Sequence, residues 1–363
     1  MNGALRLPVF LVLVFFSFQL AAQKYSNEFL TIGLSARAQG MGNAVVAGVE
    51  DVTASFWNPA GLARAGSNSG LQIGAMHAEW FAGIGKYDYL GLSLPTGNPD
   101  RRMGVSFIRF GIDGIPNTLS LYEDDGSVNY DNIVEFSAAD YAFLGTYSQR
   151  TKWMKGNLYL GGNIKVIYRQ IGSFANSWGF GLDIGAQYRV GNWNLGLVGK
   201  DVTSTFNAWK TSFTESEQAV LLATGNELPE INSVEITNPQ VLFGVGYRIG
   251  QGKWTFYPEL DLTMTTDGKR NTLIQGDPIS IDPGFGLEVG YNKLVYLRSG
   301  VNQFQREQDF DKGEILTLRP SIGIGLHISA LMIDYAFTDL GDSQNRYSHV
   351  ISLRLDLKPK EKS

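Results

Sequence analysis

The sequence predicts an all-β protein, a transmembrane antiparallel β-barrel of about fourteen strands with an N-terminal plug-like segment. Three observations point there. Ala175 to Val190 alternates strictly, with Trp178, Phe180, Leu182, Ile184, Ala186, Tyr188 and Val190 on one face. Gly179, Gly181, Asp183, Gly185, Gln187 and Arg189 lie on the other. Successive strand side chains point to opposite faces, and this run is longer than the usual strand of about 5–6 residues. It fits a tilted membrane-spanning strand of roughly 9–11 residues, lipid on one side and lumen on the other. The same rhythm recurs to the C-terminus. Composition is the third observation: Gly is 43 of 363 residues, aromatics 12% and charged residues 18%, against roughly 7% Gly and 25% charge in average soluble domains.

Residues 1–22 read as a secretory signal. Arg6 is the basic start, Leu7 to Phe18 the apolar run and Leu20-Ala21-Ala22 a small-residue cleavage site. Beyond it no apolar run is long enough for a membrane helix, so export leads to the outer membrane of a Gram-negative cell. Residues 23–66 do not read as wall. They are small and Gly-rich, and Asn58-Pro59 marks a turn. This stretch is expected to lie in the lumen as a plug or hatch, the alternative being a periplasmic arm.

Residues 67–358 are expected to form the barrel, with 359–363 a charged tail. The wall strands are Gly70–Glu79, Lys86–Leu94, Arg102–Ile112, Ser137–Ser148, Asn157–Gln170, Ser177–Val190 and Trp193–Asp201. They continue with Gln240–Ile249, Lys253–Thr265, Gly284–Tyr291, Lys293–Gln303, Ile315–Leu326, Ala330–Thr338 and Ser348–Leu357. Fourteen is even, as a bacterial single-chain barrel requires. Gly191-Asn192 and Gly250-Gln251-Gly252 are hairpin turns rich in residues that accept positive φ. Asp113–Phe136, Val202–Pro239, Thr266–Pro283 and Phe304–Glu314 read as long loops. Strand length argues against a soluble β-sandwich, and no short repeat supports a β-helix.

The formal net charge of −5 carries no basic footprint for nucleic acid. Having no Cys excludes disulfides, thiolate metal sites, cysteine catalysis and a lipoprotein anchor. The three histidines, His77, His327 and His349, belong to no catalytic pattern, and the chain is not expected to be an enzyme or to need a cofactor. Acidic residues at Glu123-Asp124-Asp125 and at Asp309, Asp311 and Glu314 could hold Ca²⁺, but their spacing reads as solvated loop and no metal is assigned. On the inward face Asn163, Lys165, Arg169, Asp183, Gln187, Arg189, Arg248, Glu259, Asp261 and Asp334 mix both signs of charge. They are expected to pair with one another or with the plug. Lys165, Arg169 and Arg248 are candidates to meet an anionic head group. Inward glycines such as Gly181 and Gly246 are expected to leave room for residues 35–62.

Ser35–Ala63 reads SARAQGMGNAVVAGVEDVTASFWNPAGLA. It resembles the N-terminal signature of the PorV/PorQ family, itself similar to the FadL-type transporters. The matching positions are Gly40-Met41-Gly42, Glu50-Asp51 and Trp57-Asn58-Pro59-Ala60, and Met76 to Phe81 resembles the family's first strand. The resemblance implies a FadL-like barrel with the N-terminal segment inside or beneath it. It also implies one of two roles. The leading one is a non-enzymatic partner in type IX secretion, meeting secretion subunits or exported cargo at the cell surface. The alternative is transport of a hydrophobic small molecule, with an apolar pocket at Phe56 and Trp57 and a kinked strand giving lateral exit. Lipid of the outer membrane is a partner in either case.

Overall fold

The computed structural model describes residues 27–65, 70–80, 83–121, 123, 127–225, 227–228, 231–309, 313–339 and 347–357. The expected signal (1–22) and tail (359–363), Phe81, and the acidic residues Asp124, Asp125 and Asp311 lie outside them. Seventeen strand segments form one sheet. In chain order they are β1 (Gln72–Trp80), β2 (Gly85–Thr96), β3 (Asn98–Asn117), β4 (Val134–Arg150), β5 (Leu158–Ile171), β6 (Ala175–Val190), β7 (Trp193–Lys200), β8 (Thr205–Thr211) and β9 (Asn232–Thr237). There follow β10 (Gln240–Tyr247), β11 (Ile249–Gln251), β12 (Trp254–Thr265), β13 (Ser280–Tyr291), β14 (Val295–Asp309), β15 (Gly313–Ile328), β16 (Leu331–Asp339) and β17 (Tyr347–Asp356).

All neighbours are antiparallel, and β17 pairs back onto β1 from Gln72↔Asp356 to Glu79↔His349, so the sheet closes. β7 and β8 both pair with β6 and make one wall strand broken at residues 201–204. β9, β10 and β11 make the next one, broken at Asn238-Pro239. Counted this way the wall has fourteen strands, at the places the alternation predicts. The difference lies at the loop end. Val202–Pro239 is not a free loop, because β8 and β9 rise through it on either side of a helix at Glu215–Ala223. Phe304–Glu314 is largely the β14–β15 hairpin, and β3 and β4 run on into Asp113–Phe136.

The exterior explains the alternation. Ile164, Leu297, Ile322 and Ile184 are 64%, 62%, 59% and 56% exposed, among many large apolar side chains turned outward, far more than a soluble protein leaves in water. Aromatic side chains bound this band. Phe107, Tyr141, Tyr168 and Trp178 form a row of ring contacts near the loop end. Trp193 meets Tyr247, and Trp254 meets Tyr291, near the short turns. Such girdles sit at the two faces of a bilayer. Among the described residues no helix is long and apolar enough to cross a membrane. Short links at 97, 191–192, 252–253, 292–294 and 329–330 share one end, which is periplasmic by the usual pattern, and the long links face outward from the cell.

The core lies inside the ring. Leu34, Met41, Val45, Val49, Phe56, Trp57 and Leu62 pack against inward side chains such as Met76, Tyr87, Tyr89, Ile108, Leu144 and Ile167. Residues 27–65 therefore pass through the lumen rather than beneath it. Their helices are short, Ala36–Gly40 and Ala54–Trp57, because Gly and Pro interrupt them.

Candidate functional site

The N-terminal segment is fixed to the wall by its backbone. Asp261 accepts from the amides of Val45 (2.8 Å) and Val46 (2.9 Å), and Glu259 from those of Ala47 (2.6 Å) and Gly48 (3.2 Å). Two carboxylates two residues apart on β12 face the same way, so together they take four consecutive N–H groups. Glu288 bridges Arg37 and Arg298, and Arg298 also reaches Asp334 at 2.6 Å. Asp51 meets Arg354 at 2.8 Å, and Glu50 meets Arg64 at 3.2 Å. Burial pushes the Asp51 carboxyl up, but Arg354 and Arg37 outweigh it and hold it below the ordinary carboxylate range. Burial likewise lowers the Arg37 guanidinium, and Glu288 more than restores it, leaving it raised.

The motif residues now have physical roles. Asn58 is extended (φ −155°, ψ 104°), as the following proline demands. Its Nδ2 donates to the carbonyls of Val46 and of Ala186 on β6, and its Oδ1 accepts from Ala60. Trp57 donates from Nε1 to the Leu34 carbonyl at 2.9 Å. Met41 is fully buried, and Gly40 and Gly42 allow the backbone to touch the wall. A Cβ on Gly40 would stand 3.1 Å from Gly323 Cα, and one on Gly42 (φ +59°) 2.6 Å from Val301 N.

Inward glycines divide into two sets. Gly161, Gly185, Gly196, Gly286 and Gly300 face the N-terminal segment; a Cβ on Gly196 would lie 2.5 Å from Val46 O. Gly181 and Gly246, expected to belong with them, instead face the wall side chains of Thr205 and Tyr257. Their small size serves the wall.

Three hollows open at the loop end. The first, about 640 Å³, is floored by Trp57, Leu30 and Leu242 and walled by polar residues of β12, β13 and β14. The second, about 460 Å³, is lined by Phe29, Ile32, Trp80, Phe110, Asp140 and Arg169 among others. Glu28, Thr31, Asn43, Asn302, Gln303 and Gln305 line both, so the turn at Glu28–Leu30 parts one from the other. Burial raises the Glu28 carboxyl there, against the pull of Arg270 and the Thr31 hydroxyl. The third hollow, about 550 Å³, is an apolar groove at the upper lip of the wall: Leu119, Phe136, Ile171, Phe174, Trp209 and Phe213 line it. Phe174 touches both Phe136 (centroids 5.1 Å apart) and Phe213 (5.5 Å).

The expected contact residues are dispersed. Phe56 is sealed in the core, whereas Trp57 reaches the 640 Å³ cavity, whose walls are polar rather than apolar as expected. Lys200 lies over both rings, 4.2 Å from the Phe56 centroid and 5.5 Å from that of Trp57. Lys165 is 3% exposed and locked between Asp183 (3.1 Å) and Asp201 (2.5 Å). Arg248 stands at the periplasmic end over Tyr257. Arg169 alone of the three cations borders the mouth. It pairs with Asp140 (2.8 Å) and Glu235 (3.5 Å) and lies over the Trp209 ring, between the groove and the 460 Å³ cavity. The groove aromatics Phe136, Phe174 and Phe213 were not singled out from sequence, although aromatic residues within loop-like stretches are a usable signal. Among the described residues no group of three or more His, Asp or Glu side chains is placed to hold a metal.

No protein-family model matches the chain, and no curated protein is similar to it in sequence. Solved structures are similar in fold. The CymD monoaromatic hydrocarbon channel aligns with TM-score 0.55 at 12% identity, over 90% of this chain and 98% of that one. The Pseudomonas putida toluene transporter TodX aligns with TM-score 0.54 at 12% identity over the same shares. A Pseudomonas aeruginosa FadL homologue aligns with TM-score 0.51 at 13% identity, over 89% and 98%. The chain is thus a closed fourteen-stranded barrel of the FadL-like fold, set in the outer membrane of a Gram-negative cell.

Proposed function

We propose that this barrel captures small hydrophobic molecules at the cell surface and passes them into the membrane, with residues 27–65 acting as a plug that blocks the axial route. The observation that carries this reading is the aromatic groove of Phe136, Phe174, Phe213 and Trp209, an open apolar hollow of about 550 Å³ on the outward-facing lip. A hollow of this size holds a small ligand, and burial of apolar area drives such binding. The hydrocarbon channels similar in fold support the same reading. Directly below the groove, both neighbouring wall strands lose regular pairing, at 201–204 and at Asn238-Pro239. Irregular backbone at membrane depth is tolerated where it is covered or borders an opening, so this break is the candidate for lateral release.

Toluene uptake into proteoliposomes tests the reading. Phe174→Asp and Phe213→Asp should each reduce uptake roughly tenfold or more, since a charge in an apolar site costs several kcal/mol of binding. Uptake unchanged in both would remove the groove from the pathway. A second reading, partnership in type IX secretion, rests on the Ser35–Ala63 resemblance and on the same exposed apolar lip as a protein contact. Recovery of secretion subunits or exported cargo with the tagged barrel from mild detergent would favour it.

A further inference from the structure

The 640 Å³ cavity is chemically unlike the groove. Leu30, Trp57, Leu242 and Pro283 bring its apolar side chains, and the rest of the lining is hydroxyl, amide, carboxylate or cation apart from glycine. Several of its charges are engaged, although one carboxylate oxygen each of Asp261 and Asp282 has no hydrogen-bond partner among the described residues. Asp267 binds Arg270, Asp261 binds the amides of Val45 and Val46, and Lys200 rests on two aromatic rings.

Of its neutral polar side chains, Thr31, Asn43, Asn271, Thr272 and Ser280 make hydrogen bonds, and six others do not. Gln240, Thr263, Thr265, Asn302, Gln303 and Gln305 all line this cavity, and none of these side chains has a hydrogen-bond partner among the described residues. Thr265 is only 7% exposed, and its hydroxyl is unpartnered. Thr263, Asn302, Gln303 and Gln305 are half-buried and can meet water, but Thr265 Oγ1 and Gln303 Oε1 are shut off from it without a partner, and a buried polar group normally finds one. The local backbone adds an independent sign. β14 slips its register between Asn302 and Gln305, and Gln303 adopts φ +51°, strained for a residue with a side chain. A bulge of this kind re-aims side chains beside functional sites. Here it turns amides into the lumen.

We propose that this cavity is a binding site for a neutral, hydroxyl-rich solute, a sugar of one to a few rings. Amides and hydroxyls offer both donors and acceptors, and sugar hydroxyls need both. A neutral ligand leaves the existing ion pairs intact, and the volume falls in the range of about 300–1,000 Å³ typical of small-molecule sites. A hydrocarbon would leave the idle groups unpaired and so be rejected. The site is separate from the groove, with Arg169 and its carboxylates between the groove and the adjoining 460 Å³ hollow.

The chain has no cysteine, so single cysteines can be placed and read without background. Thr263→Cys reports on the cavity, with Thr272→Cys as a second reporter should the first fold poorly, and Leu119→Cys reports on the groove. Each would be reacted in nanodiscs with a small hydrophilic thiosulfonate, in the presence of glucose, maltose, sucrose, raffinose or toluene. The expected result is saturable slowing of the cavity reporters by at least one sugar and not by toluene. Adding Gln303→Leu should weaken that protection roughly tenfold while leaving the groove reporter unchanged. Protection of the cavity by toluene and not by sugars would overturn the proposal and make the cavity a second hydrocarbon site. Protection by none of the solutes would overturn it as well, leaving a water-filled space.

Discussion

Gly196 and Gly145 show how one residue type serves two ends. Gly196 faces the lumen, where an added Cβ would lie 2.5 Å from Val46 O, while a Cβ on Gly145 would meet nothing within 4 Å. Gly196→Ala should therefore cost about 1–3 kcal/mol by forcing the segment off the wall. Gly145→Ala should stay within about 0.5 kcal/mol or gain slightly from reduced chain entropy. Urea titration of each variant in lipid vesicles measures the contrast, and equal midpoints would contradict the packing described. Asp51 gives a second residue-level expectation. Its carboxyl is held below its unfolded value, so its stabilisation is complete above the ordinary pKa of about 3.9 and is lost as pH falls through the depressed folded value. Asp51→Asn should abolish that part of the acid sensitivity; the check is digestion of the N-terminal segment by an acid-active protease across the pH range. A sensitivity identical in the variant would exclude Asp51 as its origin. Gly-Met-Gly and Trp-Asn-Pro-Ala were legible as a motif, but not as contacts. Only the fold brings Gly42 against β14 and Asn58 against β6.

At the scale of elements, the grip of β12 on the segment is the clearest case of a strand holding what lies inside it. Glu259 and Asp261 together accept four successive amides, and a typical hydrogen bond contributes about 0.5–1.5 kcal/mol. Asp261→Ala removes the oxygen that accepts from the Val45 and Val46 amides. Amide exchange at Val45 and Val46 should then accelerate roughly tenfold for each 1.4 kcal/mol lost, while exchange within β6 stays unchanged. Equal acceleration across β6 would mean that the whole wall had loosened instead. The strands were legible wherever lipid enforces a period of two, which is why all fourteen wall positions follow from the alternation. β8, β9 and the upper parts of β3 and β4 were not. Above the bilayer both strand faces meet water or other protein, and the apolar period lapses. The groove was hidden for the same reason. Leu119, Phe136, Phe174, Trp209 and Phe213 come from five separate places in the chain, and no local pattern joins them.

The whole molecule inverts the usual soluble design, with lipid outside and a packed, partly polar core within. Ile164 sits between the two aromatic girdles and is 64% exposed. Ile164→Arg should cost about 2–4 kcal/mol, the midplane value for a lipid-facing cation in such barrels. Folding titrations in vesicles would reveal it, and a smaller loss in detergent micelles would confirm that lipid is the cause. The ring closes through β1 and β17, two strands from opposite ends of the described chain, and residues 27–65 precede β1 in sequence. That seam sets an order of assembly. A segment that settles on the open, curling sheet before the last edges meet reaches Asp261, Glu288 and Arg354 without being threaded into a finished ring. Closure is then a single late event that couples the two ends of the chain. A lesion in the segment would be felt as slow insertion into the membrane, even where the mature barrel loses little of its strength.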